Sequence, residues 1–255
     1  MDTQTIESMI PPVGFQYGLG TTYRPYPDFN TDFNVTKIHT HDTITIKGGK
    51  GYERTKRVFD ILCSSLAIVL LSPLLLVLAL LVKTTSKGKI LFRDHRIGKD
   101  GKKIEVLKFR TMYSDAESNI NKYLTPEQLK IWTVERKLDN DPRITKMGRF
   151  LRKTSLDELP QLFNILRGDI SIVGPRPITK TELDENYTRY QRRCLLSVKP
   201  GLTGYWQVYG RSDVDYKSGE RQKEELAYLP KRSCLFDLKL IFLTVPAVLK
   251  HKGAK

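Results

Sequence analysis

The sequence predicts a mixed α/β, helix-rich domain tied to a membrane, and three observations carry that prediction. A 25-residue apolar run extends from Val58 to Val82. Short apolar runs separated by turn residues follow from Ile90 onward, and apolar residues at helical spacing follow from Met147 onward. The chain's 255 residues suit one substantial domain with extensions.

Residues 1–51 read as a polar, mostly irregular N-terminal extension, with Pro, Gly, Asn and Thr throughout. Its His39-Thr40-His41-Asp42 segment reads as an exposed loop or short strand, because no complementary pair of metal ligands is evident.

Residues 52–86 form the membrane segment. A straight helix over Val58–Val82 would reach roughly 37 Å, longer than the roughly 30 Å hydrocarbon core of a bilayer. Its only charge is Asp60. Near its middle stands Ser72-Pro73. Pro73 lacks an amide hydrogen and its ring clashes with the Val69 carbonyl, so a bend is expected, with the Ser72 hydroxyl offered to a freed carbonyl. Basic residues flank both ends: Arg54, Lys56 and Arg57 before, Lys83, Lys87 and Lys89 after. A spanning helix carries its basic excess on one side only. From these residues alone, a spanning helix and a hairpin returning to the same face stand level.

Residues 87–255 form the polar domain. The net charge of +15 resides there, since 36 Lys/Arg and 21 Asp/Glu follow residue 82. Such a domain attracts anions: nucleic acid, anionic headgroups or a phosphorylated substrate. Ile90-Leu91-Phe92 and Ile104–Phe109 read as strands joined by the turn Gly98-Lys99-Asp100-Gly101. Residues 114–138 read as polar helix interrupted near Pro126. Met147, Phe150 and Leu151 share helical spacing. Leu159, Leu162, Phe163 and Leu166 line a second helix that Gly168 ends. Leu235–Leu249 is too short to span, and its basic flanks favour an interfacial helix. The three cysteines, Cys63, Cys194 and Cys234, fit a reducing compartment better than a disulfide framework.

The chemistry-bearing residues centre on Ser155-Leu156-Asp157-Glu158. The bland reading is a capping box, Ser155 to Glu158, with Asp157 favourably placed at a helix start. In the functional reading, a carboxylate there stays ionised and nucleophilic, while its neighbour holds a divalent cation or moves a proton. Anion-binding groups surround the pair in sequence. Strand alternation puts Lys108 and Arg110 on one face. Arg149, Arg152 and Lys153 immediately precede the pair, and Gly174-Pro175-Arg176-Pro177 is a stiff loop that fixes an arginine.

On these residues the chain resembles a known family, the bacterial sugar transferases (monotopic phosphoglycosyl transferases). The likeness runs through Lys56-Arg57-Val58-Phe59-Asp60, Ser72-Pro73 and Lys108-Phe109-Arg110-Thr111-Met112. It continues through Leu151–Leu162, Asn164–Asp169, Val173–Pro177, Lys199–Gly204, Trp206-Gln207-Val208 and Gly210-Arg211, covering roughly residues 52–250.

The resemblance implies a re-entrant helix-break-helix hairpin, a small cytoplasmic catalytic domain with interfacial amphipathic helices, and location at the cytoplasmic face of the bacterial plasma (inner) membrane. It implies transfer of a sugar-1-phosphate from a UDP-sugar to polyprenol (undecaprenyl) phosphate, opening polysaccharide or glycoconjugate synthesis. Asp157 would be the nucleophile, forming a phosphosugar-aspartyl intermediate, and Glu158 would help bind Mg²⁺. Lys108, Arg152, Arg176 and Arg211 would hold phosphate or nucleotide, with Arg110, Pro175, Pro177 and Gln207 in the same substrate-binding set. Implied partners are the UDP-sugar, polyprenyl phosphate and inner-leaflet lipids, with a homo-oligomer or downstream glycosyltransferases as protein partners. A membrane-tethered nucleic-acid-binding protein or scaffold is the alternative. It lacks any recognised nucleic-acid motif, and the acidic pair would repel phosphate in the absence of a metal.

Overall fold

The structure is a computed structural model that describes residues 44–135, 138–210 and 218–249. The expectations for residues 1–43, Arg211, Lys250 and Lys252 fall outside these residues.

Helix α1 (Lys50–Thr85) carries the apolar run, and it is the one described helix long and apolar enough to cross a membrane. The expected break is not an interruption, because α1 stays helical through Pro73. Pro73 deprives the Val69 carbonyl of its usual donor, and the Ser72 hydroxyl replaces it at 2.8 Å. Pro73 itself lies on the exposed side.

The opposite side of α1 forms one continuous stripe against the rest of the protein. Asp60, Ser64, Leu78 and Val82 are buried on it, with Ala67, Ile68, Leu71 and Leu75 packed between them at helical spacing. The outer side is bare: Val58, Leu62, Leu66, Val69, Leu70 and Leu76 are each more than half exposed.

Behind α1, strands β1 (Leu91–Ile97) and β2 (Lys103–Phe109) pair antiparallel from Leu91↔Phe109 to Ile97↔Lys103, around the expected turn. Short helices α2 (Ile120–Tyr123) and α3 (Pro126–Glu135) follow. Pro126 starts α3 rather than merely interrupting a helix, with Thr125 and Gln128 exchanging side-chain to backbone hydrogen bonds at that end.

Helix α4 (Lys146–Thr154) is capped by Thr145, whose hydroxyl accepts from the Gly148 N–H at 2.9 Å. A tight turn, Leu156–Glu158, then leads to α5 (Gln161–Arg167), which ends at Gly168 in the left-handed region, as expected. Two expectations need correction. Phe150 and Phe163 do not face the core. Leu151, Leu162 and Ile165 do, and both phenyl rings are exposed. Nor is Ser155 an N-cap. It sits left-handed (φ 57°) at the C-terminus of α4, and its side chain makes no cap hydrogen bond.

The central core gathers about a parallel pair, β3 (Ser171–Val173) and β4 (Gly201–Thr203). Around it pack α6 (Lys180–Asn186), α7 (Arg189–Leu196), α8 (Glu220–Leu226) and α9 (Cys234–Leu249). Their buried residues include Leu183, Leu195 and Leu240, joined by Tyr228 and Leu229 from the link between α8 and α9. The other side of α9 is exposed and apolar, through Leu235, Leu238, Phe242 and Val245. All three cysteines are free.

Both ends of α1 are fastened to this domain. Near its start, Asp60 Oδ1 accepts from the Ser171 hydroxyl and the Ile172 N–H, each at 3.0 Å. Arg57 donates to the Ile165 and Leu166 carbonyls at 2.7 Å, and Lys56 pairs with Asp237 at 2.7 Å. At its end, Arg110 donates to the carbonyls of Lys89 at 2.5 Å, Ser86 at 2.6 Å and Val82 at 3.4 Å.

Candidate active site

Residue Asp157 lies in the turn between α4 and α5, against the end of β2. The left-handed Ser155 redirects the chain out of α4, a costly conformation for a residue with a Cβ and one often found where a site is being shaped. Helix α4 approaches the chain just beyond β2 so closely that a Cβ on Gly148 would stand 1.9 Å from the Thr111 carbonyl oxygen, so only glycine fits.

That approach brings α4 basic groups to the strand end. Arg152 Nε donates to Thr111 Oγ1 at 2.9 Å, and Lys108 Nζ pairs with Glu158 at 3.0 Å. Burial pushes the Arg152 guanidinium below its ordinary value, while Asp157 and Asp141 act in the opposite direction.

Burial also pushes the Asp157 carboxyl up to about 6, and the charge of Glu158 adds to this, against the lowering pull of Lys108 and Arg152. This reverses the expectation of a carboxylate strongly stabilised by a helix start. Asp157 is a desolvated carboxylate beside a second one, ionised at neutral pH with little surrounding water, which favours nucleophilicity.

The cluster therefore unites four expected residues: Asp157, Glu158, Lys108 and Arg152. Arg110 does not join them. Strand β2 ends at Phe109, so the alternation that would align Lys108 with Arg110 fails, and Arg110 instead caps α1. Its burial lowers its pKa from the ordinary value.

A second cluster holds Pro175, Arg176, Pro177 and Gln207. Here the chain passes backbone against backbone: a Cβ on Gly174 would lie 2.5 Å from the Lys199 carbonyl, and one on Gly204 would lie 2.0 Å from the Gly174 carbonyl. The Arg176 N–H donates to Glu225 Oε2 at 2.9 Å. The Arg176 guanidinium stands 5.4 Å from the Trp206 ring centroid, and that of Arg221 stands 4.4 Å from it. Arg96 steadies the loop by donating to the Pro177 carbonyl at 3.2 Å and to Glu182 at 3.1 Å. Gln207 lies in the irregular helical turn Trp206–Gly210, against Gly204.

Sequence reading missed several supports. Asp141 and Arg143 form a buried pair at 2.6 Å behind Arg152, and Arg143 also lies over Trp132. Burial raises the Asp141 carboxyl, but the Arg143 hydrogen bonds and charge hold it below the ordinary range. An Asp-x-Arg spacing beside a proline, able to close such a pair locally, was the available signal. Glu225 carried none, because it lies in a charged stretch that reads as solvated helix.

Glu158, paired with Lys108 here, offers the oxygen ligands that Mg²⁺ takes, a metal commonly held by one or two carboxylates together with substrate phosphates. Among the described residues, no cluster of three or more His, Cys, Asp or Glu side chains forms a metal cage.

A sequence model of the bacterial sugar transferases matches residues 51–251, and the chain belongs to that family. It is 42% identical over 203 residues to the exopolysaccharide production protein ExoY of Rhizobium meliloti (strain 1021), covering 78% of this chain and 87% of that one. It is 38% identical over 245 residues to the undecaprenyl-phosphate galactose phosphotransferase of Salmonella typhimurium, covering 91% of this chain and 49% of that one. To the UDP-glucose:undecaprenyl-phosphate glucose-1-phosphate transferase of Klebsiella pneumoniae it is 45% identical over 194 residues, covering 74% of this chain and 39% of that one. The chain thus spans half or less of the two transferases named for galactose and glucose. Because 9% of 255 residues is about 23, the Salmonella match must extend into residues 1–50.

Proposed function

We propose that this membrane-associated sugar transferase moves a sugar-1-phosphate from a UDP-sugar to polyprenyl phosphate, releasing UMP. The observation that carries the reading is the desolvated Asp157, set between Lys108 and Arg152 beside Glu158. Asp157 Oδ attacks the β-phosphorus of the UDP-sugar. The bond from that phosphorus to the bridging oxygen breaks, and UMP leaves with the electron pair. An oxygen of the polyprenyl phosphate then attacks the same phosphorus, freeing the Asp157 carboxylate and leaving a polyprenyl diphosphosugar.

Lys108 and Arg152 supply fixed positive charge where charge builds on the transferring phosphoryl group, the main form of catalysis such reactions need. The Arg176 loop, held by Glu225 and Arg96, would present the second phosphate- or nucleotide-binding group. Mg²⁺, when bound through Glu158 and the diphosphate, would neutralise charge on that diphosphate.

The membrane geometry is read as re-entrant at the cytoplasmic face of the plasma membrane, with α1 bending about Pro73 while staying helical rather than breaking there. A spanning α1 would place its ends on opposite faces, roughly 30 Å apart. Here Arg57 and Asp60 at one end, and Val82 and Ser86 at the other, bond to a single domain. The bare outer side of α1, the exposed side of α9 and the Phe150 and Phe163 rings form the lipid-facing surface.

Mixing the protein with polyprenyl phosphate, Mg²⁺ and a panel of UDP-sugars, with UMP release as readout, tests the reaction and names the sugar. UMP release is expected to stop in Asp157→Asn and on adding EDTA. Near-normal turnover in Asp157→Asn would remove Asp157 as nucleophile, and full activity in EDTA would remove the metal. Cysteines placed at positions 50 and 90 should label from the same side of the membrane; labelling from opposite sides would overturn the re-entrant geometry.

A further inference from the structure

A small, partly open cleft lies between the start of α1, strand β3 and the chain at Val198-Lys199, and the reaction above does not use it. Its charged walls are Glu53, Lys56, Arg57, Asp60, Lys199 and Arg232, four cations against two carboxylates. Four of the six are matched locally. Lys56 pairs with Asp237, and Arg232 pairs with Glu53. Asp60 spends one oxygen on the Ser171 hydroxyl and the Ile172 N–H.

Arg57 and Lys199 remain. The Arg57 guanidinium bonds only neutral carbonyl oxygens, so its charge is not cancelled there. Lys199 is partly buried, and its ammonium makes no hydrogen bond or ion pair with any described residue. Both groups stand 3.2 Å from the point a Cβ on Gly168 would occupy, so they crowd one wall. The Nε of Arg232 is also buried without a partner. Asp60 and, more weakly, Glu53 face Lys199, while Arg57 and Lys99 add positive charge beside it.

Two like charges are seldom held together partly out of water without an anion between them. The three donors of a lysine and the edge of a guanidinium can be shared by one tetrahedral oxyanion, whereas a planar carboxylate offers its oxygens in a single plane. The cleft also lies where the apolar helix begins, since Arg57 directly precedes the exposed Val58.

We infer that the Arg57–Lys199 cleft binds one phosphate group, carried on a lipid headgroup or free in solution. Its role is separate from the transfer reaction, so it can fail while UMP release stands, and the reverse.

The full chain, purified in neutral detergent, is titrated with inorganic phosphate and, separately, with a short-chain phosphatidylglycerol, using calorimetry. Saturable binding of at least one probe is expected. Binding should weaken about tenfold or more in Lys199→Gln, the loss of one charge-assisted hydrogen bond. It should survive in Lys199→Arg and in the exposed control Lys102→Gln. Phosphatidylglycerol binding, with or without inorganic phosphate, assigns a headgroup site; inorganic phosphate alone assigns a free-anion site. Absence of saturable binding to the wild type overturns the inference whatever the variants do. Binding that Lys199→Gln leaves unchanged also overturns it, because the phosphate then sits elsewhere.

Discussion

Replacing Asp157 by Asn should make the protein more stable while removing its activity, and the gain should depend on pH. In the fold, burial and Glu158 hold the Asp157 carboxyl at about 6, against 3.8 for the free group. The folded state therefore favours the protonated form. That contribution is fully present below about pH 4 and is lost as pH rises through 6. At pH 8 the wild type carries the whole penalty of an ionised, desolvated carboxylate. About two units at 1.36 kcal/mol each give roughly 3 kcal/mol. Asn has nearly the same shape and no charge to desolvate, so it avoids the penalty at every pH. For a chain of this size the gain corresponds to a rise in Tm of about 6–12 °C. Thermal melts of wild type and Asp157→Asn in neutral detergent with EDTA, at pH 4.5, 6 and 8, provide the assay. The difference should be large at pH 8 and shrink to about a third of that at pH 4.5. Equal Tm values at pH 8, or a constant gain at every pH, would refute the assignment of Asp157 as a desolvated carboxylate.

Three further outcomes follow from the packing. Arg110→Gln should lower stability by about 2–4 kcal/mol through loss of charge-assisted bonds to the carbonyls of Ser86 and Lys89, at and just beyond the end of α1. The KM for the UDP-sugar should stay unchanged, so a rise in KM without a fall in Tm would return Arg110 to the substrate site. Gly148→Ala forces a Cβ against the Thr111 carbonyl and should cost about 3 kcal/mol or more. A Gly148→Ala protein with wild-type Tm and turnover would contradict the close approach of α4 to Thr111. Arg143→Ala leaves Asp141 buried and unpaired, a loss of about 3–5 kcal/mol that Asp141→Ala in the same chain should partly restore, as read by melting.

Local chemistry made much of the fold legible in the sequence. The glycine turn at 98–101 and the left-handed stop at Gly168 follow from backbone freedom, and the Ser72 hydroxyl answers a need created by Pro73. Asp157, Glu158, Lys108 and Arg152 were legible because they cluster within short motifs. Contacts set by tertiary packing were not. Where β2 ends decides that Arg110 turns to α1, and nothing at position 110 records this. The side of α4 that meets Thr111 is fixed by Gly148, so Phe150 points outward despite its apolar ring. Likewise, Asp60 is the single charge of an apolar run, and only the fold supplies its partners, the Ser171 hydroxyl and the Ile172 N–H.

That last contact bears on how such a protein can be handled and how it can change over generations. A membrane tether joined by a flexible link can be cut off or exchanged for another without harm to the catalytic unit. Helix α1 is instead a structural wall of the domain. Removing it would strip the Ser171 hydroxyl and the Ile172 N–H of their acceptor and lay open Leu151, Ile165 and Ile170. A water-soluble version made by truncation is thus expected to collapse. Making one requires repainting the outer side of α1 with polar residues while leaving its inner stripe untouched.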